Sequence, residues 1–182
     1  MRLLFLGDIM GRSGRKAISE RLNRLREKWR LDFVVVNGEN ATGGMGLSAS
    51  HAKALIDSGV DCITLGDHAF DQKDMLTFCE QEPRIIRPLN FAKTAPGKGS
   101  RLIKARNGKK ILVVQALGQV FMKKPFDDPF SAIDTALKGA PMGGLADAVI
   151  VDFHAEATSE KVAMGHWLSL IHISEPTRRR GI

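Results

Sequence analysis

Three features of the sequence predict an α/β fold built on a largely parallel sheet. Short apolar runs recur at residues 3–6, 33–36 and 62–65. Stretches with apolar residues at helical spacing lie between them, and this alternation is the pattern of a parallel sheet flanked by helices. Finally, each of these runs ends in a glycine followed by an acid: Gly7-Asp8, Gly38-Glu39 and Gly66-Asp67.

The elements follow in order. Residues 3–6 form the first strand. Over 13–29 the positions Ile18, Leu22, Leu25 and Trp29 repeat at helical spacing, which predicts a helix with one face on the sheet and its charges in water. Residues 33–36 are the second strand. The Gly-rich turn from Thr42 to Gly46 leads to Ser48, a helix cap, and a helix to about Ser58 that stops at Gly59. Residues 62–65 are the third strand, 73–80 a helix, and a short strand lies near Ile85. The runs 100–105 and 110–117 flank Asn107-Gly108, a pair suited to a tight hairpin with positive φ at both positions, so antiparallel pairing is expected there. A helix over 130–137, a strand over 148–152 and a helix over 159–167 capped by Ser159 complete the reading.

A chain of 182 residues with 43% hydrophobic content suits one domain with a core of its own. Its 27 basic and 20 acidic residues leave a net charge of +7. Such an excess points to a nucleic-acid or membrane-surface partner only where it clusters. Here Arg12, Arg15, Lys16, Arg21, Arg24, Arg26, Lys28 and Arg30 alternate with an apolar stripe and read as a solvated helix face. The two cysteines, Cys62 and Cys79, have no metal-binding spacing and suit a reduced compartment. Asp8 interrupts the apolar start before a signal-peptide core forms, and no run approaches the ~20 apolar residues of a membrane helix. A soluble, cytoplasmic protein with no membrane partner is expected.

The chemistry lies at the strand ends. Asp8 follows the first strand, Glu39 and Asn40 the second, Asp67 and His68 the third, and His154 a later one. Ligands of open α/β sheets gather outside the carboxyl ends of strands, so these groups are expected to converge. Crowded carboxylates raise one another's pKa unless a cation holds them charged, and a metal is the natural counter-charge. Carboxylate, amide and imidazole donors suit manganese, iron or magnesium, and histidine keeps zinc open. His68 is read as a general acid, because Asp67 already takes the ligand position beside it. His51 is read as a surface residue, and His166 as structural or functional with equal weight.

These motifs resemble a known family. Leu6-Gly7-Asp8-Ile9-Met10-Gly11, Val36-Asn37-Gly38-Glu39-Asn40, Gly66-Asp67-His68 with Phe70-Asp71, and the run from Asp152 through Phe153-His154-Ala155-Glu156 to Lys161 are similar to the YmdB-like branch of the calcineurin-like metallophosphoesterases. The resemblance spans 1–167 and implies a sandwich of mixed β-sheets flanked by helices, with the C-terminal strands missing. It further implies a two-metal site, iron or manganese, and hydrolysis of phosphodiesters such as 2′,3′-cyclic nucleotides by a hydroxide held between the metals. RNA-derived substrates and homo-oligomers also fit such a family. Carried over by motif, Asp8 and Asn40 serve one metal, Glu39 bridges, Asp67 and His154 serve the second, and His68 is catalytic. Most relatives have Asn where this chain has Asp67, whose extra charge is expected to tighten divalent binding and weaken the pull on an anionic substrate.

The family continues into a Gly-Thr-His-Thr-His-Val turn that completes both metals, and this chain does not carry it. Its run from Leu168 to Arg178 can be encoded by nucleotides that look like a sequencing-library adapter. Residues 168–182 are therefore expected to be a non-family tail, His172 is not counted as a ligand, and activity is expected to be impaired. Two other readings remain open. One is a non-catalytic nucleotide- or phosphate-binding module using the helix start after Gly7-Asp8-Ile9-Met10-Gly11. The other is an RNA-binding protein using the basic helix, which lacks interleaved aromatics.

Overall fold

The computed structural model describes residues 1–123 and 125–171. The first half alternates strand and helix: β1 (Leu3–Leu6), α1 (Gly11–Trp29), β2 (Phe33–Asn37), α2 (Ala49–Asp57), β3 (Cys62–Thr64), α3 (Met75–Gln81) and β4 (Ile85–Ile86). Its strands form one sheet in the order β1-β2-β3-β4. All three pairings are parallel, with Leu6 beside Val36, Val36 beside Ile63 and Thr64 beside Ile86. Parallel neighbours in sequence order put the ends of β1, β2 and β3 on a single edge, and that topology gathers the strand-end acids.

The second half contributes β5 (Ser100–Lys104), β6 (Lys110–Leu117), α4 (Pro129–Gly139), β7 (Ala148–His154) and α5 (Thr158–Ile171). The sheet β5-β6-β7 is mixed: β5 and β6 are antiparallel, whereas β6 and β7 are parallel with α4 crossing between them. The hairpin is looser than the expected tight turn. Gly108 takes φ 84° while Asn107 keeps a negative φ. The Gly108 N–H donates to Ala105 O and the Ala105 N–H to Lys109 O, closing a three-residue loop in which only the last position is left-handed. The Asn107 side chain instead accepts a bond from the Lys109 N–H at 3.1 Å.

Alternate residues of β2 and β6 face different cores, as the period of two requires. Val34 and Val36 pack with Ile18, Leu22, Leu55 and Met75 under the helices of the first sheet. Phe33 and Val35 meet Ile111 and Val113 between the two sheets. Leu112 and Val114 turn the other way, onto Ile133, Leu137 and Met164 of α4 and α5. The resulting layers are helices, parallel sheet, mixed sheet and helices, the sandwich that the resemblance implies.

Several local expectations are corrected. Ser159 lies inside the first turn of α5 and so is not its cap. Arg26 is buried rather than solvated, 2.7 Å from Asp61 and bonded to the carbonyl of Gly59, and Arg15 reaches the carbonyl of Ala41. Helix α5 runs without a break past Trp167 to Ile171, and Leu168 packs on the outer core. His172 and the remaining tail lie outside the described residues. Among the described residues no helix is long and apolar enough to cross a membrane.

Candidate metal centre

The site begins with a glycine. Gly66 follows β3, and a Cβ built on it would lie 1.6 Å from Glu39 Oε2, so the Glu39 carboxylate rests in space that any other residue would fill. Glu39 is 2% exposed. Its Oε1 accepts from His154 Nδ1 at 2.8 Å, whereas Oε2 is buried without a hydrogen-bond partner. Leaving a buried charged oxygen unpaired is costly, more than the ~1–3 kcal/mol of a neutral group, unless a cation engages it. Glu39, Asp67 and His154 offer ligand atoms that all lie within 4.8 Å of one another. These observations, rather than the count of acids, show that the donor set fits a divalent ion.

Burial and the Glu39 hydrogen bond pull His154 in opposite directions. The hydrogen bond wins and raises its pKa above the usual histidine value. A cation held there would take the place of that hydrogen bond in balancing Glu39. His154 Nε2 also lies 3.7 Å from Asp67 Oδ1, which links the second sheet to the end of β3.

Asp8 and Asn40 come together in a second group. Asp8 follows β1 in a left-handed conformation (φ 27°), and Asn40 Nδ2 donates to its Oδ1 at 2.8 Å. The bond from Gly11 N–H to Asn40 O ties the two loops further. Asp8 stands outside the close triplet but lines the same hollow of about 320 Å³ as Glu39 and His154.

His68 sits at the rim with its two nitrogens differently engaged. Nδ1 is 2.5 Å from Asp71 Oδ2, and Nε2 faces Asp67 Oδ1 at 3.9 Å. A carboxylate on Nδ1 fixes the ring's orientation and leaves Nε2 on the side of Asp67. The motif includes Asp71 but gives it no role; its place three residues after His68, on the same turn, is the signal that marks it.

The sequence reading also passes over the groups behind the ligands. Asp152 on β7 reaches across to the first sheet, where its Oδ2 accepts from Asn37 Nδ2 at 3.0 Å and Thr64 Oγ1 at 2.6 Å. Asn37 Oδ1 in turn accepts from the Glu39 N–H at 3.2 Å. One carboxylate thus holds the ends of β2, β3 and β7 in register beside the candidate ligands. His51 is half-buried, not a plain surface residue: its Nδ1 lies 2.7 Å from Thr42 Oγ1 and helps close the turn before α2. His166 is exposed on α5.

Residues 4–170 match the model of the YmdB-like protein family. The chain belongs to the YmdB-like family. It is similar to a 2′,3′-cyclic-nucleotide 2′-phosphodiesterase of Bacillus subtilis (strain 168), 42% identical over 165 residues that cover 91% of this chain and 61% of that protein. Among solved structures, a hypothetical protein from Thermus thermophilus superposes with a TM-score of 0.84 at 43% identity, covering 92% of this chain and 63% of that one. A novel phosphatase from Mycoplasma pneumoniae gives 0.80 at 36% identity, covering 91% and 59%. This YmdB-like chain therefore spans about three fifths of the length of the relatives it matches. The family match ends within α5, beyond Trp167.

Proposed function

We propose that this YmdB-like chain carries the larger share of a metal-dependent phosphodiesterase site that acts on phosphodiesters such as 2′,3′-cyclic nucleotides. The single observation that carries the reading is the buried Glu39 carboxylate, whose Oε2 has no hydrogen-bond partner and lies against Gly66, in a residue grouped with Asp67 and His154. A structural carboxylate at this depth would have its hydrogen bonds satisfied. The B. subtilis relative is named for action on 2′,3′-cyclic nucleotides, which supports that substrate class here.

Asp8 and Asn40 would hold one ion, Asp67 and His154 a second, and Glu39 both; iron or manganese suits this set, with magnesium and zinc as alternatives. Bound ions would supply Lewis-acid stabilisation of charge on the phosphoryl group. The chain's own part is positioning and proton transfer. Asp71 holds His68 through Nδ1, and Nε2, left free of that bond, would give a proton to the leaving oxygen. The buried thiols Cys62 and Cys79 suit the reduced cytoplasm.

The alternative, a phosphate module at the start of α1, has weaker support. That helix has no side-chain cap, and the Gly11 N–H donates to Asn40 O rather than pointing free. The test compares the wild-type chain with Glu39→Gln for manganese binding by calorimetry and for hydrolysis of 2′,3′-cyclic AMP. Loss of manganese binding, and of any hydrolysis, in the variant is expected. Manganese binding of equal strength in both would overturn the site.

A further inference from the structure

A second hollow opens beside the metal ligands and plays no part in the chemistry above. It measures about 400 Å³, within the range of clefts that hold small ligands. Asp67 forms part of its wall, so the hollow adjoins the ligand triplet directly. Its other walls include Phe70, Phe91 and Phe126. Phe91 and Phe126 are stacked, with centroids 5.3 Å apart and planes at 20°, and Phe70 meets Phe91 at 5.7 Å and 49°. All three rings keep part of their surface accessible.

The rim is anionic. Asp67, Asp71 and Asp127 line the hollow, and no lysine or arginine among the described residues does. Such a rim disfavours a second phosphate there and favours an uncharged, flat group. Asp127 is held in place by its backbone: its N–H donates to Asn90 O at 3.0 Å, and its O accepts from Asn90 Nδ2 at 2.9 Å. The carboxylate itself is exposed. A carboxylate there can accept from the exocyclic amino group of adenine, cytosine or guanine, and uracil has no such group.

We propose that this hollow is the nucleobase subsite, with Phe126, backed by Phe91, as the stacking surface and Asp127 as the acceptor that selects an amino-bearing base. The proposal rests on the phosphodiesterase reading and adds to it where the base is held and which bases are preferred. Aromatic stacking of a base is sequence-tolerant, so the ring walls provide affinity and the carboxylate provides the choice.

The test is binding of adenosine, which has no phosphate, to the intact 182-residue chain in chelator, followed by saturation-transfer NMR. Adenosine should bind, Phe126→Ala should weaken it about tenfold or more, and Phe126→Trp should keep it. Uridine should bind less tightly than adenosine, with the difference lost in Asp127→Asn. Thermal unfolding of each variant separates a lost wall from a lost fold. Equal adenosine binding by wild type, Phe126→Ala and Phe126→Trp overturns the subsite, and equal binding of uridine and adenosine to the wild type overturns the role of Asp127. Hydrolysis of glycerol 1,2-cyclic phosphate, a diester without a base, tests the phosphodiesterase reading separately. Failure of the wild type to cleave it counts against the metal chemistry and leaves the adenosine result standing.

Discussion

At the scale of single residues, the site depends on one missing Cβ. Glu39 Oε2 occupies the space beside Gly66, and a methyl group 1.6 Å away would force the carboxylate out. Gly66→Ala is therefore expected to keep the fold and to weaken manganese binding by about 10–100-fold, the range typical when groups that orient ligands are disturbed; calorimetry checks it. His68 makes a separable prediction. It lies at the rim with Nδ1 bonded to Asp71 and is not a member of the close triplet. His68→Ala should lower kcat on 2′,3′-cyclic AMP by about 10²–10⁴-fold while metal content by atomic absorption stays at the wild-type level. Asp71→Asn should change kcat in the same direction by less, because Asn can still accept from Nδ1.

At the scale of elements, the first helix shows how far pattern reading goes. The apolar stripe locates α1, and Ile18 and Leu22 are buried as its spacing requires. The same pattern reads Arg26 as solvated, yet that guanidinium is buried against Asp61, whose Oδ2 also accepts from the Val34 N–H at 2.8 Å. A helical wheel assigns charge to the outside by default; only the position of the loop after α2, which carries Gly59 and Asp61, makes an inward arginine stable. Asp61→Asn leaves the buried guanidinium without its counter-charge, and a loss of about 3 kcal/mol in urea unfolding is expected. The Asn107-Gly108 hairpin teaches the same point. The dipeptide marks the turn, but the hydrogen bonds across Ala105 and Lys109 set a three-residue loop instead of a two-residue one.

At the scale of the whole molecule, the two sheets must be held in register for His154 on β7 to meet Glu39 after β2. The interleaved core of Phe33, Val35, Ile111 and Val113 holds them face to face without specifying position along the strands. The bonds from Asp152 to Asn37 and Thr64 supply that specificity. Asp152→Ala should thus weaken manganese binding by about 10–100-fold, although Asp152 is not a member of the ligand triplet. Asp152→Asn should recover part of the affinity, since an amide oxygen in the place of Oδ2 can still accept from Asn37 and Thr64. A purely structural loss would show in thermal unfolding and would not follow that order.

The sequence by itself determined the elements, the parallel first sheet and the strand-end residues Asp8, Glu39, Asn40, Asp67, His68 and His154, because apolar periodicity and glycine-acid punctuation are local properties of the chain. Tertiary structure alone decided which of those acids share one centre, that Gly66 makes room for Glu39, that Asp152 joins the sheets, and that three phenylalanines wall a hollow beside Asp67. Each of these is a contact between residues far apart in the chain. Their distances follow from how two sheets pack, and a linear pattern carries no information about that packing.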